Sequence, residues 1–401
     1  MLTNRQIFLQ NLGQTSSQPL LIEIVRSQGI FMYGPAGERY IDLISGVSVS
    51  NTGHCHPAVV KAVQEQAETY MHLMVYGEVI QPPQVRYAAR IAGLLPPQLN
   101  TTFFVNSGSE AVEGAMKLSK KFTGRSRVIS FCNSYHGSTH GALSIQGSEI
   151  FKNAFRPLLP DTWLAGFNDI DSLDLIDNNC ACVIIEPIQG EAGMILPQND
   201  FLKRVKERCN ETGALLVFDE IQTGFGRTGY LFALERYGVI PDILVLAKAL
   251  GGGMPLGAFI SSGEIMRSLM ADPPLGHITT FGGHPVCCAA GLASLEVILK
   301  EDLTGKVAAK SEILRHELKH PLIREIRGEG LMLAVVMNDP ALVPEVISKA
   351  PAYGLLLDNF LFCPDAFRIA PPLVITGEEI TIACNALREM LDGIMAKKDA
   401  S

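Results

Sequence analysis

From about residue 100 the chain alternates short, entirely apolar segments with stretches of helical pattern. The apolar segments are TFFV before Asn106, RVISF from Arg127, ACVIIE ending at Glu186, ALLVFDE ending at Glu220 and DILVLAK ending at Lys248. Strands buried on both faces read as continuous apolar runs, and helices between such strands are the usual crossovers of a parallel sheet. The pattern therefore predicts an α/β fold built on a mostly parallel sheet that is flanked by helices.

The two chain ends follow a different pattern. Near the amino end, the segments 30–33 and 39–44 flank GPAGE, which predicts a hairpin with Gly and Pro at its turn. After about residue 295 come an amphipathic helix, the strand-like LMLAVVM at 331–337, an apolar segment near Leu355 and a charged terminal helix. We expect a large domain over 51–295, and a small α+β domain formed by 1–50 and 296–401.

Composition restricts the partners and the compartment. The net charge is −8 and no block of basic residues occurs, which argues against nucleic acid or an anionic membrane as partner. No run of 18 or more residues is free of polar interruption. The nine cysteines are scattered, odd in number and mostly in apolar surroundings, a usage typical of a reducing compartment. We expect a soluble cytoplasmic protein.

Polar residues follow every predicted strand of the parallel sheet. They are Asn106 to Ser109, Asn133 to Gly137, Glu186 to Glu191, Asp219 to Gln222, and Lys248. Ligands of open α/β sheets bind at the carboxyl ends of the strands. These side chains would be costly to bury without partners, so the sequence predicts a ligand site at this edge.

Three other classes of site are disfavoured. GFGRTG at 224–229 matches the dinucleotide pattern G-x-G-x-x-G, but DEIQT separates it from its strand and YLFALERYG does not open as the required helix. The chain has no G-x-x-x-x-G-K-[ST] loop and no Cys/His cluster with zinc-site spacing. A dehydrogenase, a P-loop enzyme and a zinc site therefore do not explain the polar edge.

Three of the strand ends together suit pyridoxal phosphate. Lys248 lies in an apolar strand before three glycines, so we expect its amine to be neutral or covalently modified. Without its neighbours, the simpler interpretation is a lysine that extends its amine to solvent. Asp219 can keep a pyridinium nitrogen protonated, or simply cap nearby amides. Gly108 and Ser109 open a helix whose free amides can hold a phosphate, or form an ordinary Ser-capped helix.

Taken together, these segments resemble the class III aminotransferases, the fold-type-I pyridoxal-phosphate family that includes ornithine, acetylornithine and 4-aminobutyrate aminotransferases. The resemblance covers nearly the whole chain. Its segments are GHCHP (53–57), NSGSEAVE (106–113), YHG (135–137), EPIQGEAG (186–193), DEIQTGFGRTG (219–229), AKALGGGMPLGA (247–258), TTFGGHP (279–285) and RIAPPL (368–373). It implies a large domain with a seven-stranded, mostly parallel sheet, and it explains GFGRTG as part of the family's signature.

The resemblance also implies roles at the cofactor. Lys248 would form the Schiff base and shuttle protons, Asp219 would face the pyridinium nitrogen, and Gln222 would lie beside the ring hydroxyl. Tyr135 would stack on the ring. The residues that complete the cofactor-binding set are His136, Glu186, Gly108, Ser109 and Thr280, the last reaching the phosphate from the other subunit of a homodimer.

For the substrates, the resemblance implies that Arg368 binds a carboxylate and that Glu191 covers this arginine when an ω-amine donor is bound. The reaction would be a ping-pong transfer of an amino group from an amine or amino acid to a 2-oxo acid such as 2-oxoglutarate. An aminomutase, a racemase or a decarboxylase on the same scaffold is the alternative, because cofactor motifs determine the carbanion and not its fate. A binding module that has lost activity is a third reading, against which the intact Lys248 and Asp219 argue.

One position departs from the family. Ornithine, acetylornithine and 4-aminobutyrate enzymes typically read FHGRT or FWGRT, with an arginine that helps to hold the distal carboxylate of the donor. This chain reads YHGST, with Ser138 at the position of the arginine. A donor without a carboxylate at that end, or one held by another residue, therefore fits better. Tyr76, Gly77 and Glu78 are further candidates for the donor pocket, with a purely structural role as the alternative.

Overall fold

The computed structural model describes residues 2–75 and 77–399. The α-helices are α1 (Asn4–Asn11), α2 (Ser45–Ser48), α3 (Pro57–Thr69), α4 (Pro82–Ala92), α5 (Gly108–Thr123), α6 (His140–Ser144), α7 (Glu149–Lys152), α8 (Phe201–Thr212), α9 (Ala233–Tyr237), α10 (Gly263–Met266), α11 (Pro285–Lys300), α12 (Val307–Glu317), α13 (Leu342–Lys349) and α14 (Gly377–Asp399). Short 3₁₀ helices cover Asn153–Phe155, Asp171–Leu175, Lys248–Gly251, Arg267–Met270 and Ala350–Tyr353.

The strands form three sheets. They are β1 (Arg26–Gln28), β2 (Phe31–Tyr33), β3 (Arg39–Asp42), β4 (Thr101–Val105), β5 (Arg127–Phe131), β6 (Thr162–Ala165), β7 (Cys180–Ile185), β8 (Leu215–Asp219), β9 (Ile243–Leu246), β10 (Gly257–Ser261), β11 (Ile323–Glu329), β12 (Met332–Met337), β13 (Leu355–Leu356), β14 (Asp358–Asn359) and β15 (Ala366–Ile369). The central sheet has seven strands in the order β4-β10-β9-β8-β7-β5-β6. The two smaller sheets have the orders β1-β2-β3-β13 and β11-β12-β15-β14.

The central sheet is parallel from β6 to β9, and β10 runs antiparallel to both of its neighbours. Its strands are buried on both faces. Along β7, Val183 and Ile185 belong to one apolar core, while Cys182 and Ile184 belong to the core on the opposite face. This two-sided burial explains the continuous apolar runs of the sequence, and the predicted α/β class with a mostly parallel sheet is confirmed.

The helix α5 covers one face of this sheet and begins at its ligand-binding edge. The side chain of Ser107 caps the first turn by accepting a hydrogen bond from the amide of Glu110, and Gly124 ends the helix in a left-handed conformation. Ala111, Val112 and neighbouring apolar residues are buried against the strands. Packing and capping therefore set where the helix begins.

The predicted hairpin is present as β2 and β3, which pair antiparallel. The strand β13 pairs with β3 in parallel, so segments from both chain ends share one sheet. This pairing agrees with a small domain made of 1–50 and 296–401, and that division stays a prediction. Residue 295 itself lies within α11. No helix among residues 2–75 and 77–399 combines the length and the apolar character needed to cross a membrane.

Candidate active site

A cavity of about 520 Å³ lies at the carboxyl ends of the parallel strands. Most of the predicted site residues line it: Gly108, Ser109, Tyr135, His136, Glu186, Glu191, Asp219, Gln222 and Lys248. They come from segments that follow β4, β5, β7, β8 and β9. Parallel strands bring these ends to one edge, which is why residues far apart in the sequence meet here.

Lys248 lies two residues after the end of β9, at the start of a 3₁₀ helix, and lines the cavity. Its φ is 50°, a left-handed value that is uncommon for a residue with a side chain. Desolvation is the largest influence on the amine and lowers its pKa from 10.5 to about 8, although the charges of Glu191, Asp219 and Glu186 act in the opposite direction. The lowered pKa increases the neutral fraction of the amine near neutral pH, and the neutral form is the one that acts as a nucleophile or a proton acceptor.

Asp219, the last residue of β8, is buried next to a histidine. Its Oδ2 lies 2.7 Å from Nδ1 of His136, and its Oδ1 accepts a hydrogen bond from the amide of Ile221 at 3.1 Å. Burial is the largest influence on His136 and lowers its pKa, but the hydrogen bond and charge of Asp219, with the charge of Glu186, raise the pKa overall. The Asp219 carboxylate thus favours the charged form of His136 inside the protein.

Glu186, after β7, is held by two backbone amides. Its Oε1 accepts from Tyr135 at 2.9 Å, and its Oε2 accepts from Gly190 at 2.8 Å. Burial raises the pKa of Glu186 to about 7; the charge of His136 lowers it and that of Asp219 raises it. Glu186 therefore links the loop carrying Tyr135 and His136 to the loop carrying Gly190.

Gln222 projects towards the loop that carries Gly190, and a side chain at position 190 would require Gln222 to move. A Cβ added to Gly190 would lie 2.0 Å from Oε1 of Gln222. The Nε2 of Gln222 is buried and has no hydrogen-bond partner among the described residues. Since buried polar atoms are normally paired, this free donor indicates a place where a ligand oxygen can bind.

The start of α5 forms an anion site. The amides of Gly108 and Ser109 belong to the first helical turn, whose N–H groups have no acceptor within the helix. The hydroxyl of Ser109 accepts a hydrogen bond from the amide of Ser138 at 3.3 Å. This contact needs Gly137, which has a φ of 131° and whose added Cβ would lie 2.2 Å from Oγ of Ser109.

Arg368 lies outside the lining of the cavity but contacts it through Glu191. The two side chains form a buried pair, with Nη2 of Arg368 2.6 Å from Oε1 of Glu191. The Nε and Nη1 of Arg368 are buried and have no hydrogen-bond partner within the described part of the chain. Nη2 carries one hydrogen on each of the two edges by which a guanidinium binds a carboxylate, so Glu191 occupies one edge, and bidentate binding of a ligand on that edge requires Glu191 to leave.

Other predicted positions lie further out. The hydroxyl of Ser138 is 3.1 Å from that of Tyr135, at the exposed mouth of the cavity. Thr280 is exposed, is absent from the cavity lining, and its carbonyl oxygen lies 2.8 Å from Nε2 of His72. Gly77 and Glu78 are exposed, and Tyr76 lies outside the described residues.

The residues of the cavity fit pyridoxal phosphate. Lys248 offers an amine for the aldehyde, Asp219 a buried carboxylate for the pyridine nitrogen, Gln222 a free amide donor, and the start of α5 an anion site for the phosphate. The volume suits a ligand of this size, since small-molecule cavities span about 300–1,000 Å³.

The fold and the cavity define a fold-type-I enzyme that depends on pyridoxal phosphate. The chain belongs to the class III aminotransferases, because the family model "Aminotransferase class-III" matches residues 12–391. It is 40% identical over 380 residues to the acetylornithine aminotransferase of Methanopyrus kandleri, and the aligned residues cover 94% of this chain and 95% of the relative.

Two solved structures show the same similarity. The ornithine aminotransferase of Toxoplasma gondii superposes with a TM-score of 0.89 at 33% identity, covering 98% of this chain and 94% of that one. An (S)-enantioselective ω-transaminase from Thermomicrobium roseum superposes with a TM-score of 0.90 at 29% identity, covering 97% of each chain. The predictions of family, cofactor and amino transfer are confirmed, and the roles of individual residues stay predictions.

Several apolar residues of the cavity were not predicted from the sequence. They are Val49, Ile188, Ile221, Ala247, Met254, Pro255 and Leu256. Val49 comes from the far amino end of the chain, just after the short α2 turn. An apolar residue carries no chemical signal of its own, and only the packing of the fold brings Val49 to the cavity.

Proposed function

We propose that the chain transfers the terminal amino group of an acetylornithine-like donor to 2-oxoglutarate in a ping-pong cycle. The observation that carries the proposal is the buried pair of Arg368 and Glu191. One cavity must bind a donor and a 2-oxo diacid in turn, and a cation that can be covered or exposed serves both. The support for the donor is the 40% identity to an acetylornithine aminotransferase.

Pyridoxal phosphate, when bound, supplies an electron-withdrawing ring that accepts the electron pair of the C–H bond broken beside the donor nitrogen. Lys248 holds the cofactor covalently between turnovers. Once the donor has taken its place, the neutral Nζ of Lys248 would accept the proton lost by the donor carbon that bears nitrogen, and would hold that proton within the site for its return. The lowered pKa of Lys248, about 8, suits it to this exchange.

The surrounding residues hold the ring. Asp219, held in place by its contact with His136, would bind the ring nitrogen. Gln222 and Tyr135 bind the ring hydroxyl and the ring face, and Glu186 orders the loops that carry Tyr135 and His136. The amides of Gly108 and Ser109 bind the phosphate at the positive end of α5.

We further propose a homodimer in which Thr280 of each subunit completes the phosphate site of the other. Thr280 is exposed and outside its own cavity, and the adjacent Ile278 and Phe281 expose 48% and 54% of their surface. Apolar side chains exposed next to one another indicate an interface. The nine free cysteines support a cytoplasmic location, which we propose as well.

Ser138 favours a second candidate donor. Ser138 takes the place of the arginine in the family's typical FHGRT or FWGRT motif, and the described residues that line the cavity include no arginine. An amine whose distal end is uncharged would meet no desolvation penalty there. Such an amine is the alternative to acetylornithine.

A donor panel separates these possibilities. The enzyme loaded with pyridoxal phosphate is given acetylornithine, ornithine, 4-aminobutyrate or an uncharged ω-amine, each with 2-oxoglutarate, and glutamate formation is measured. The proposal expects the highest kcat/KM with acetylornithine. A higher value with the uncharged amine supports the second candidate, and no glutamate with any donor refutes both.

A further inference from the structure

The segment 360–363, which joins β14 to β15, contacts both members of the Arg368 and Glu191 pair. The face of the Phe360 ring lies under the guanidinium of Arg368, with 4.8 Å between Cζ and the ring centroid. The amide of Leu361 donates to Oε2 of Glu191 at 3.1 Å. The amide of Phe362 donates to the carbonyl oxygen of Glu191 at 3.1 Å.

These contacts differ in whether they persist when the carboxylate of Glu191 moves away from Arg368. When the carboxylate of Glu191 leaves Arg368, it also gives up the hydrogen bond from Leu361. The Phe362 bond can persist, because it holds the backbone of Glu191 and not the side chain. The contact between Phe360 and Arg368 includes no atom of Glu191. It can therefore persist whether Glu191 is paired with Arg368 or has moved away.

Once Glu191 has moved, the charged group that remains beside the guanidinium is Asp358, whose pKa burial raises and the charge of Arg368 lowers. The Nε and Nη1 of Arg368 have no hydrogen-bond partner in the described part of the chain. A long side chain freed from its acceptor gains rotamer freedom, and that freedom is lost again when a ligand binds. The Phe360 ring limits this gain, because a cation is attracted to the face of an aromatic ring, and more strongly where water is excluded.

Phe360 is itself held firmly. It is 2% exposed and belongs to a buried apolar cluster that includes Ile188, a residue of the cavity lining. At the other end of the segment, Cys363 lies 3.0 Å from Nη2 of Arg327, whose Nε donates to the carbonyl oxygen of Gly193 at 2.5 Å. The segment is therefore tied to the loop that carries Glu191.

We propose that Phe360 is a positioning residue for the acceptor: its ring keeps Arg368 aimed at the cavity after Glu191 has withdrawn. The Leu361 amide acts in the opposite arrangement, since it stabilises the carboxylate of Glu191 in its paired position. The segment 360–363 thereby sets the balance between the donor form and the acceptor form of one cavity. This inference rests on the proposed roles of Arg368 and Glu191.

The test varies the ring face while keeping the size of the side chain. Phe360 is replaced by 4-fluoro-, 3,5-difluoro- and 3,4,5-trifluorophenylalanine, which weaken cation binding in steps, and Phe360→Leu removes the ring. Two constants are measured on the loaded enzyme: the Kd for glutarate, a dicarboxylate that cannot react, and the KM for the acceptor 2-oxoglutarate. Both should rise with each fluorine, by roughly two- to tenfold in total, whereas the KM for the donor stays constant.

Phe201 provides the matched control. It is fully buried and makes edge-to-face contacts with Phe131 and Phe167. The same fluorinated residues at position 201 should leave the glutarate Kd unchanged, whatever they do to Tm. A glutarate Kd that is flat across the series at position 360 overturns the inference, as does an equal rise for acceptor and donor.

Arg368→Lys distinguishes a failure of the proposed role of Arg368 from a failure of the proposed role of Phe360. If it weakens glutarate binding while the fluorinated series has no effect, the role of Arg368 stands and that of Phe360 fails. If Arg368→Lys leaves the Kd unchanged, the proposed role of Arg368 fails, and the inference about Phe360 fails with it.

Discussion

The pKa of Lys248 predicts how fast the enzyme without cofactor captures pyridoxal phosphate at each pH. Only the neutral amine attacks the aldehyde. Burial lowers the pKa from 10.5 to about 8, which is a difference of about 2.5 pH units. At pH 7 the neutral fraction is then about one in ten, roughly 300 times that of an ordinary lysine.

The capture rate should therefore rise about tenfold per pH unit below pH 8 and level off above it, because the amine loses its proton through the lowered pKa. Stopped-flow absorbance of the bound cofactor, measured from pH 6.5 to 9.5, gives the profile. A rate that keeps rising through pH 9.5 means an ordinary lysine, and a rate independent of pH means that another step limits capture. The first result refutes the lowered pKa, and the second refutes the premise that the neutral fraction of Lys248 sets the capture rate.

Glu191→Gln sharpens this prediction. The charge of Glu191 is the largest influence that raises the pKa of Lys248 against desolvation. Its removal should move the midpoint of the capture profile below that of the wild-type chain. Glu211→Gln is the control, since Glu211 is exposed and forms an ion pair with Arg208 on its own helix. An equal shift in both variants would count against the electrostatic explanation.

Two further substitutions test the site. Asp219→Asn removes the charge beside His136, so the pKa of His136 should fall. The half-reaction with the donor should slow on the order of 100- to 1000-fold. A rate within about threefold of wild type would contradict the role of Asp219. Ser138→Arg introduces a cation at the donor end and should lower the KM for donors with a distal carboxylate by about tenfold, without improving uncharged amines. An equal effect on both kinds of donor contradicts the assignment of Ser138 to the donor end.

The elements that could be predicted from sequence are those whose burial is simplest. Strands β5, β7, β8 and β9 are covered on both faces, so they read as apolar runs. The polar residues that follow them, such as Asp219 and Lys248, had to meet because parallel strands end at one edge. The motifs at these strand ends then identified the family.

The contacts between distant segments could not be predicted in this way. The reversal of β10 depends on how the chain returns after Lys248, and the apolar pattern of a strand is the same in either direction. The position of Phe360 under Arg368 requires the pairing of β14 with β15. The hydrogen bond between His136 and Asp219 joins residues that are 83 positions apart, and no local sequence pattern predicts it.

The central claim is that Lys248 holds pyridoxal phosphate covalently and that this attachment is released by an amino donor. Reduction of the loaded enzyme with borohydride, followed by peptide mass mapping, tests it directly. The account predicts a pyridoxyl phosphate group on the peptide that contains Lys248, and its loss when acetylornithine is added before the borohydride. A label on another lysine, or one that the donor does not remove, would contradict the account.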